Sequence, residues 1–331
     1  MKLLELTESG LYCPLAGIFI DPWRRVDKAV ITHAHSDHSR WGMKHYLAHQ
    51  HSSEVMKLRL GKEINLQTLD YSQVLNINGV KLSLHPAGHI PGSAQVRLEY
   101  KGKVAVVSGD YKVENDGLST PFEPVKCHEF VSECTFGLPI YKWESQSEIF
   151  NQINSWWKTN AKEGRNTILF AYSLGKAQRI LQNLDQSIGS VYVHGAIWNT
   201  NQALIGNGIE LWDVPKVSVE LPKSAFKGSL IIAPPSAMGT SWMKRFTPYQ
   251  TGICSGWMAV RGTRRRRAAD RGFILSDHAD WEALVHVITE TEADKVYLTH
   301  GNTASFGRFL QEERGIDAVE LKTLFGEEEV A

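Results

Sequence analysis

Ala29-Val30-Ile31-Thr32-His33-Ala34-His35-Ser36-Asp37-His38 places a short apolar, strand-forming run directly before four metal-type side chains packed into six positions. A strand that ends in such a loop delivers imidazoles and a carboxylate to one point, which is what a bound divalent ion requires. A plain polar loop has no need of that spacing. Four ligands on one short loop cannot all reach a single ion without strain. The pattern therefore predicts two ions, with His33 and His35 on one and Asp37 and His38 on the other.

Three later apolar runs stop in the same manner. Leu82-Ser83-Leu84 leads to His85-Pro86-Ala87-Gly88-His89, Val104-Ala105-Val106-Val107 to Ser108-Gly109-Asp110, and Lys295-Val296-Tyr297-Leu298-Thr299 to His300-Gly301. Each sets a ligand-type residue at a strand end beside glycine, where the backbone can turn sharply and leave the side chain exposed. His89, Asp110 and His300 are thus expected to complete the two sites. Asp110 is the expected bridge, because a carboxylate has two oxygens and both ions need charge balance.

The bulk properties narrow the setting. A chain of 331 residues, 42% hydrophobic, is long enough for one large domain or two and reads as a soluble globular enzyme. No apolar run approaches the ~20 residues that span a bilayer. The start, Met1-Lys2-Leu3-Leu4-Glu5-Leu6-Thr7-Glu8, is acidic where a signal peptide would be basic and then apolar, so a cytoplasmic protein without a membrane partner is expected. Cys13, Cys127, Cys134 and Cys254 are scattered with no Cys-x-x-Cys pair, which excludes a zinc ribbon or a disulfide framework and points to reduced thiols. With a formal net charge of zero, a polyanionic partner must be held by a local patch. Arg261, Arg264, Arg265, Arg266, Arg267 and Arg271 supply one.

Texture divides the chain. Over 11–110, short β-branched runs alternate with Gly, Pro and Asn, which predicts a sheet-dominated layer with one helix over Ser53–Leu60. Over about 139–271, amphipathic segments at 147–160 and 176–185 alternate with Thr167-Ile168-Leu169-Phe170-Ala171, Ser190-Val191-Tyr192-Val193 and Ser229-Leu230-Ile231-Ile232-Ala233. That alternation predicts a small parallel α/β unit. Because His300 belongs with the first sheet, the unit is read as an insertion, 139–271, into a domain made of 1–138 and 272–331.

His33-Ala34-His35-Ser36-Asp37-His38 with His89, Asp110 and His300 resembles the motif set of the metallo-β-lactamase superfamily. Ser132-Glu133-Cys134-Thr135-Phe136-Gly137, Ser276-Asp277-His278-Ala279-Asp280 and Leu298-Thr299-His300-Gly301 resemble motifs A, B and C of its β-CASP nucleic-acid nucleases. More narrowly, the chain is similar along essentially its whole length to the bacterial DNA-ligase-associated exonucleases, as at Ile20-Asp21-Pro22-Trp23, Gly92-Ser93-Ala94-Gln95-Val96 and Ser255-Gly256-Trp257-Met258. The resemblance implies an α/β fold, an αβ/βα metallo-β-lactamase sandwich with a β-CASP cap inserted between motifs A and B. It also implies two zinc-type ions, hydrolysis of DNA phosphodiester bonds, and functional association with a DNA ligase and other repair enzymes. Manganese suits the same His and Asp ligands. Cys134 stands where the common motif A has serine, with the acidic residue before it retained. Histidine at the third motif is usual among RNA-directed members, so an RNA-processing enzyme of ribonuclease J or mRNA 3′-end-processing type is the alternative.

The chemistry expected of such a site is in-line attack on phosphorus by hydroxide held between two ions, with Asp37 essential to it. The leaving oxygen then needs a proton. His278 is the candidate donor, oriented by Glu133. Asp280 is expected to cap a helix that begins at Trp281. An extra α/β unit serves a groove for a polymeric phosphodiester better than a small-molecule site. For that polymer, Lys176 at a helix start after Ser173-Leu174-Gly175, Ser236 in a loop, and Arg264, Arg265, Arg266 and Arg267 are the expected contacts. Trp198, Trp242 and Trp257 are better read as core than as stacking platforms. A small-molecule hydrolase would leave the insertion, Glu133 with His278, and the arginines unexplained. A metal-holding module without catalysis would typically have lost ligands, and all seven are present.

Overall fold

In the computed structural model, which describes residues 2–260 and 269–323, the short apolar runs near the start of the chain pair in sequence order. They are β1 (Glu5–Thr7), β2 (Gly10–Cys13), β3 (Ile18–Ile20), β4 (Lys28–Val30), β5 (His45–His49) and β6 (Leu66–Leu69), one six-stranded sheet. The first two pairings are antiparallel and the rest parallel. Parallel neighbours need a crossover, and α1 (Ser53–Leu60) provides the one between β5 and β6.

A second sheet begins with β7 (Leu75–Ile77), β8 (Val80–Pro86), β9 (Ala94–Tyr100) and β10 (Lys103–Val107), an antiparallel meander. β11 (Glu129–Glu133) then adds in parallel beside β10. Successive side chains of a strand face opposite ways. Val80, Leu82 and Leu84 of β8 and Ala94, Val96 and Leu98 of β9 accordingly share one buried core with Leu11, Ile18, Ile20 and Val30 of the first sheet. The two sheets pack face to face through it.

Residues 116–118 and 143–277 form a separate unit. It holds β12 (Asn166–Phe170), β13 (Val191–Val193), β14 (Leu230–Ala233), β15 (Tyr249–Cys254) and β16 (Arg271–Phe273), all parallel in the order β13-β14-β12-β15-β16. Helices α2 (Gln146–Lys162), α3 (Lys176–Gln182) and α4 (Gly195–Gly206) belong to it. A parallel sheet is covered on both faces, which is why every residue of β12 and β14 is buried. α2 opens with a Ser145–Glu148 capping box and turns Ile149, Ile153, Trp156 and Trp157 inward, the spacing of a helical apolar stripe.

After this unit the chain returns to the second sheet with β17 (Lys295–Thr299) and β18 (Ala318–Glu320), completing the order β18-β17-β11-β10-β9-β8-β7. Helices α5 (Trp281–Glu290) and α6 (Thr303–Arg314) cover the face that carries Val104, Val106, Phe130, Val296 and Leu298. Asp280 caps α5, accepting from Ala283 N at 2.9 Å. All four cysteines are free and buried. No described helix is long and apolar enough to cross a membrane.

Candidate metal centre

Strand direction explains where the ligand-type residues gather. β8 and β10 are both antiparallel to β9, and β10, β11 and β17 are parallel in turn, so all four end along one edge. His89, Asp110 and His300 follow those ends and Glu133 closes β11. From the first sheet, β4 runs into 31–38, and Ala94 N donates to Thr32 O at 2.8 Å, tying that loop to the start of β9. Gly109 (φ +58) makes the approach feasible, since a Cβ there would come within 2.6 Å of the Thr32 side chain.

The ligand-type atoms fall into groups within 4.8 Å of one another: His33, His35, His89 and Asp110, then Asp37, His38 and His300, then Asp110, Glu133 and His278. Asp110 Oδ2 lies 3.4 Å from both His33 Nε2 and His38 Nε2, and Asp37 Oδ2 lies 3.5 Å from His38 Nε2. A tetrahedral ion with bonds of ~2.1 Å separates its ligands by about 3.4 Å, so the spacing fits divalent ions of zinc type. His33 Nε2, Asp37 Oδ2 and Asp110 Oδ1 are buried atoms without a hydrogen-bond partner in the protein. Such groups are costly unless something takes their lone pairs, and a cation would.

Charge is arranged to match. Burial, helped by the neighbouring His38, holds the His33 imidazole well below its ordinary value, and burial also lowers His300, so both present neutral nitrogens. Against the opposing effect of burial, His38 and His33 keep the Asp110 carboxyl well below the usual range, hence anionic. Burial also opposes a charge on His38, yet Asp110, Asp37 and Asp21 raise it well above its ordinary value. Carboxylates that favour a proton there favour a divalent cation in its place.

Asp21, to which the sequence reading gave no role of its own, supports one of these imidazoles. Its Oδ2 accepts from His38 Nδ1 at 2.7 Å and from Thr32 Oγ1 at 2.6 Å, and its Oδ1 accepts from Thr32 N at 2.8 Å. The bond to Nδ1 leaves Nε2 aimed at the centre. The signal was present: Asp21 follows β3 just as Asp110 follows β10. Asp21 (φ 44) and His300 (φ 58) both hold left-handed backbone, which costs a non-glycine residue roughly 1–2 kcal/mol. At His300 the conformation is held by the buried Cys134 thiol, which donates to the His300 carbonyl at 2.9 Å, and by Thr299 Oγ1 at 2.8 Å from His300 Nδ1.

Glu133 and His278 meet, with His278 Nδ1 at 2.8 and 2.9 Å from the two carboxylate oxygens. Tyr111 N donates to Glu133 Oε1 at 2.8 Å and Thr135 Oγ1 to Oε2 at 2.6 Å, so the carboxylate is fixed from three sides. The His278 and His89 rings lie 4.7 Å apart, which sets His278 beside the metal-type cluster.

The expected substrate contacts fare differently. Lys176 opens α3 but is only 3% exposed, its ammonium 3.3 Å from Asp277 Oδ2 and 4.6 Å from the Tyr172 ring centre. Arg179 Nη1 also lies 3.3 Å from Asp277 Oδ1. The sequence reading put Lys176 at a phosphate; its ammonium instead sits in a buried ion pair, because Asp277 reaches it first. Ser236 is exposed in the turn Pro235–Ala237. Arg264, Arg265, Arg266 and Arg267 lie outside the described residues. Trp242 packs edge-on against Phe246, 4.7 Å between ring centres, as a core residue does.

No family model matches the chain. A probable DNA ligase of Opitutus terrae is 28% identical over 311 residues, which is 93% of this chain and 30% of that protein. Endoribonuclease YSH1 of Yarrowia lipolytica is 30% identical over 125 residues, 37% of this chain and 15% of that protein. Cleavage and polyadenylation specificity factor 73 of Drosophila melanogaster is 23% identical over 166 residues, 48% of this chain and 24% of that protein. The chain thus spans 30% or less of the length of these relatives. A crystal structure of a protein of unknown function from Enterococcus faecalis V583 is similar with a TM-score of 0.63 at 12% identity, covering 90% of this chain and 80% of that one, a likeness of fold. These relatives support the superfamily that the motif set resembles.

Proposed function

We propose that this chain is a metal-dependent nuclease of β-CASP type, a hydrolase of phosphodiester bonds that acts first on DNA as an exonuclease in repair. The observation that carries the reading is one carboxylate oxygen, Asp110 Oδ2, at 3.4 Å from imidazoles of both ligand groups, beside a fixed Glu133–His278 pair. In this reading His33, His35 and His89 hold one ion, Asp37, His38 and His300 the other, and Asp110 serves both. Two zinc-type ions, when bound, would supply an activated water and neutralise phosphate charge. His278 delivers a proton to the leaving oxygen from Nε2, while Glu133 keeps Nδ1 occupied and the ring aligned. Unit 143–277 is read as the cap, with Ser236 and Arg264, Arg265, Arg266 and Arg267 at the substrate backbone. A cytoplasmic location and a working association with a DNA ligase belong to the same proposal.

RNA is the second reading, favoured by His300 and by the two relatives named for RNA work. The test is purified protein of known metal content, incubated with matched single-stranded DNA and RNA labelled separately at each end. Release of short products from DNA alone supports the first reading and gives polarity; preferential loss of RNA exchanges it for the second. Asp37→Ala should remove one ion and abolish hydrolysis, and near-normal activity in that variant would sink the two-ion proposal.

A further inference from the structure

The loop that follows the metal-type cluster carries an arrangement that hydrolysis does not require. Of the exposed large apolar side chains among the described residues, only Trp41 is aromatic, and it is 63% exposed. A lone exposed apolar residue means little. This one is built in. The Arg25 guanidinium lies over the indole, 4.7 Å from the ring centre. Gly42 (φ +104) lets it lie there, because a Cβ at that position would come within 2.8 Å of Arg25 Nε.

The loop is also fixed to the cluster. Ser39 N donates to His35 O at 2.8 Å, Arg40 Nε to Asp37 O at 3.2 Å, and Tyr46 Oη to Arg40 O at 2.9 Å. Trp41 comes three residues after His38, so the chain allows at most about 11 Å between their Cα atoms. That is about three base steps of ~3.4 Å. A cavity of about 430 Å³ adjoins the indole, lined in part by Arg25, Lys44, Tyr46 and Asn65. Arg24 and Lys44 are committed to Glu8 and Asp27, at 2.9 and 2.6 Å. Arg25 has no carboxylate within ion-pairing distance among the described residues.

An exposed indole with an uncommitted guanidinium on one face offers a base its other face and a phosphate its charge. We propose that Trp41 and Arg25 form a subsite that stacks an unpaired base of a single nucleic-acid strand, within a few nucleotides of the phosphodiester at the metal centre. The subsite rests on the nuclease reading and deepens it: a base inside a duplex has no free face to give, so the strand must be single there.

The test compares wild type, Trp41→Ala and Trp41→Phe in two assays. Binding of short fluorescein-labelled single strands, DNA and RNA, with phosphorothioate linkages that resist hydrolysis, is read by anisotropy. Hydrolysis of bis(4-nitrophenyl) phosphate, which has no base to stack, reads the metal centre alone. Trp41→Ala should weaken strand binding about fivefold or more, the least that one lost base–aromatic stack costs. Trp41→Phe should recover most of it, and both variants should keep wild-type metal content and wild-type hydrolysis of the small ester. Unchanged strand binding in Trp41→Ala overturns the subsite, as does a parallel fall in metal content and small-ester hydrolysis, which would make Trp41 a support of the metal loop. A wild type that cleaves the small ester yet neither binds nor cuts either strand overturns the nuclease reading itself.

Discussion

Two strand ends in this chain look alike in sequence and differ in what they hold. β10 leads to Ser108-Gly109-Asp110, and β12 to Ser173-Leu174-Gly175-Lys176; each sets a charged residue beside glycine in the loop that follows a strand. At the first, Asp110 Oδ1 is buried without a hydrogen-bond partner and Oδ2 faces two imidazoles at 3.4 Å. At the second, the Lys176 ammonium has Asp277 at 3.3 Å and an aromatic face beneath it. Strand ends bring polar groups together in either case. What separates a candidate site from a structural joint is whether the groups delivered already satisfy one another.

Asp110→Ala should break the contrast most severely. If Asp110 serves both ions, its loss removes charge balance from both, so metal content should fall below half and hydrolysis by about a thousandfold or more, the several kcal/mol expected of metal-ion catalysis. Metal analysis beside a rate measurement checks this, and a variant that keeps two ions refutes the shared role. Glu133→Gln should cost less, at most about a hundredfold of the general-acid contribution, with metal content unchanged. Its effect should shrink on bis(4-nitrophenyl) phosphate, because 4-nitrophenolate leaves without a proton. An equal loss on both substrates would assign Glu133 to something other than proton delivery. Asp21→Asn should follow, lowering metal affinity by about 10- to 100-fold through a less firmly oriented His38; titration with a chromophoric chelator reads it.

Local chemistry was legible in the sequence where period and punctuation agree. β3 falls on Ile18-Phe19-Ile20, β9 on Ala94 through Tyr100, β17 on Lys295 through Thr299, and α1 on Ser53–Leu60, because β-branched alternation and glycine stops mark these without help from the fold. β1, β6 and β7 are runs of only three or four residues, too short to carry a clear pattern, and pairing with neighbours makes them strands. Residues of metal-ligand type could be named because imidazole and carboxylate are scarce at strand ends. Asp21 was missed because one aspartate before a proline also reads as a turn. The Cys134 thiol on the His300 carbonyl could not be foreseen, since it joins residues 166 positions apart. The Lys176–Asp277 ion pair could not be foreseen for the same reason: the two are remote in sequence, and only the fold brings them together.

Lys176→Met sharpens the comparison from its quieter side. A lysine that held substrate phosphate would, when replaced, weaken strand binding and reduce the dependence of affinity on salt by about one ion per lost contact. A lysine buried against Asp277 should do neither. Arg179 remains beside Asp277 in the variant, at 3.3 Å, so the carboxylate keeps a counter-charge and the unit should stay folded. The expected signature is a lower denaturation midpoint with an unchanged salt slope, because a paired buried charge contributes to the fold and not to the strand. Should the salt slope fall by one with stability intact, Lys176 would belong with Asp110, as a group the fold holds ready for something outside itself.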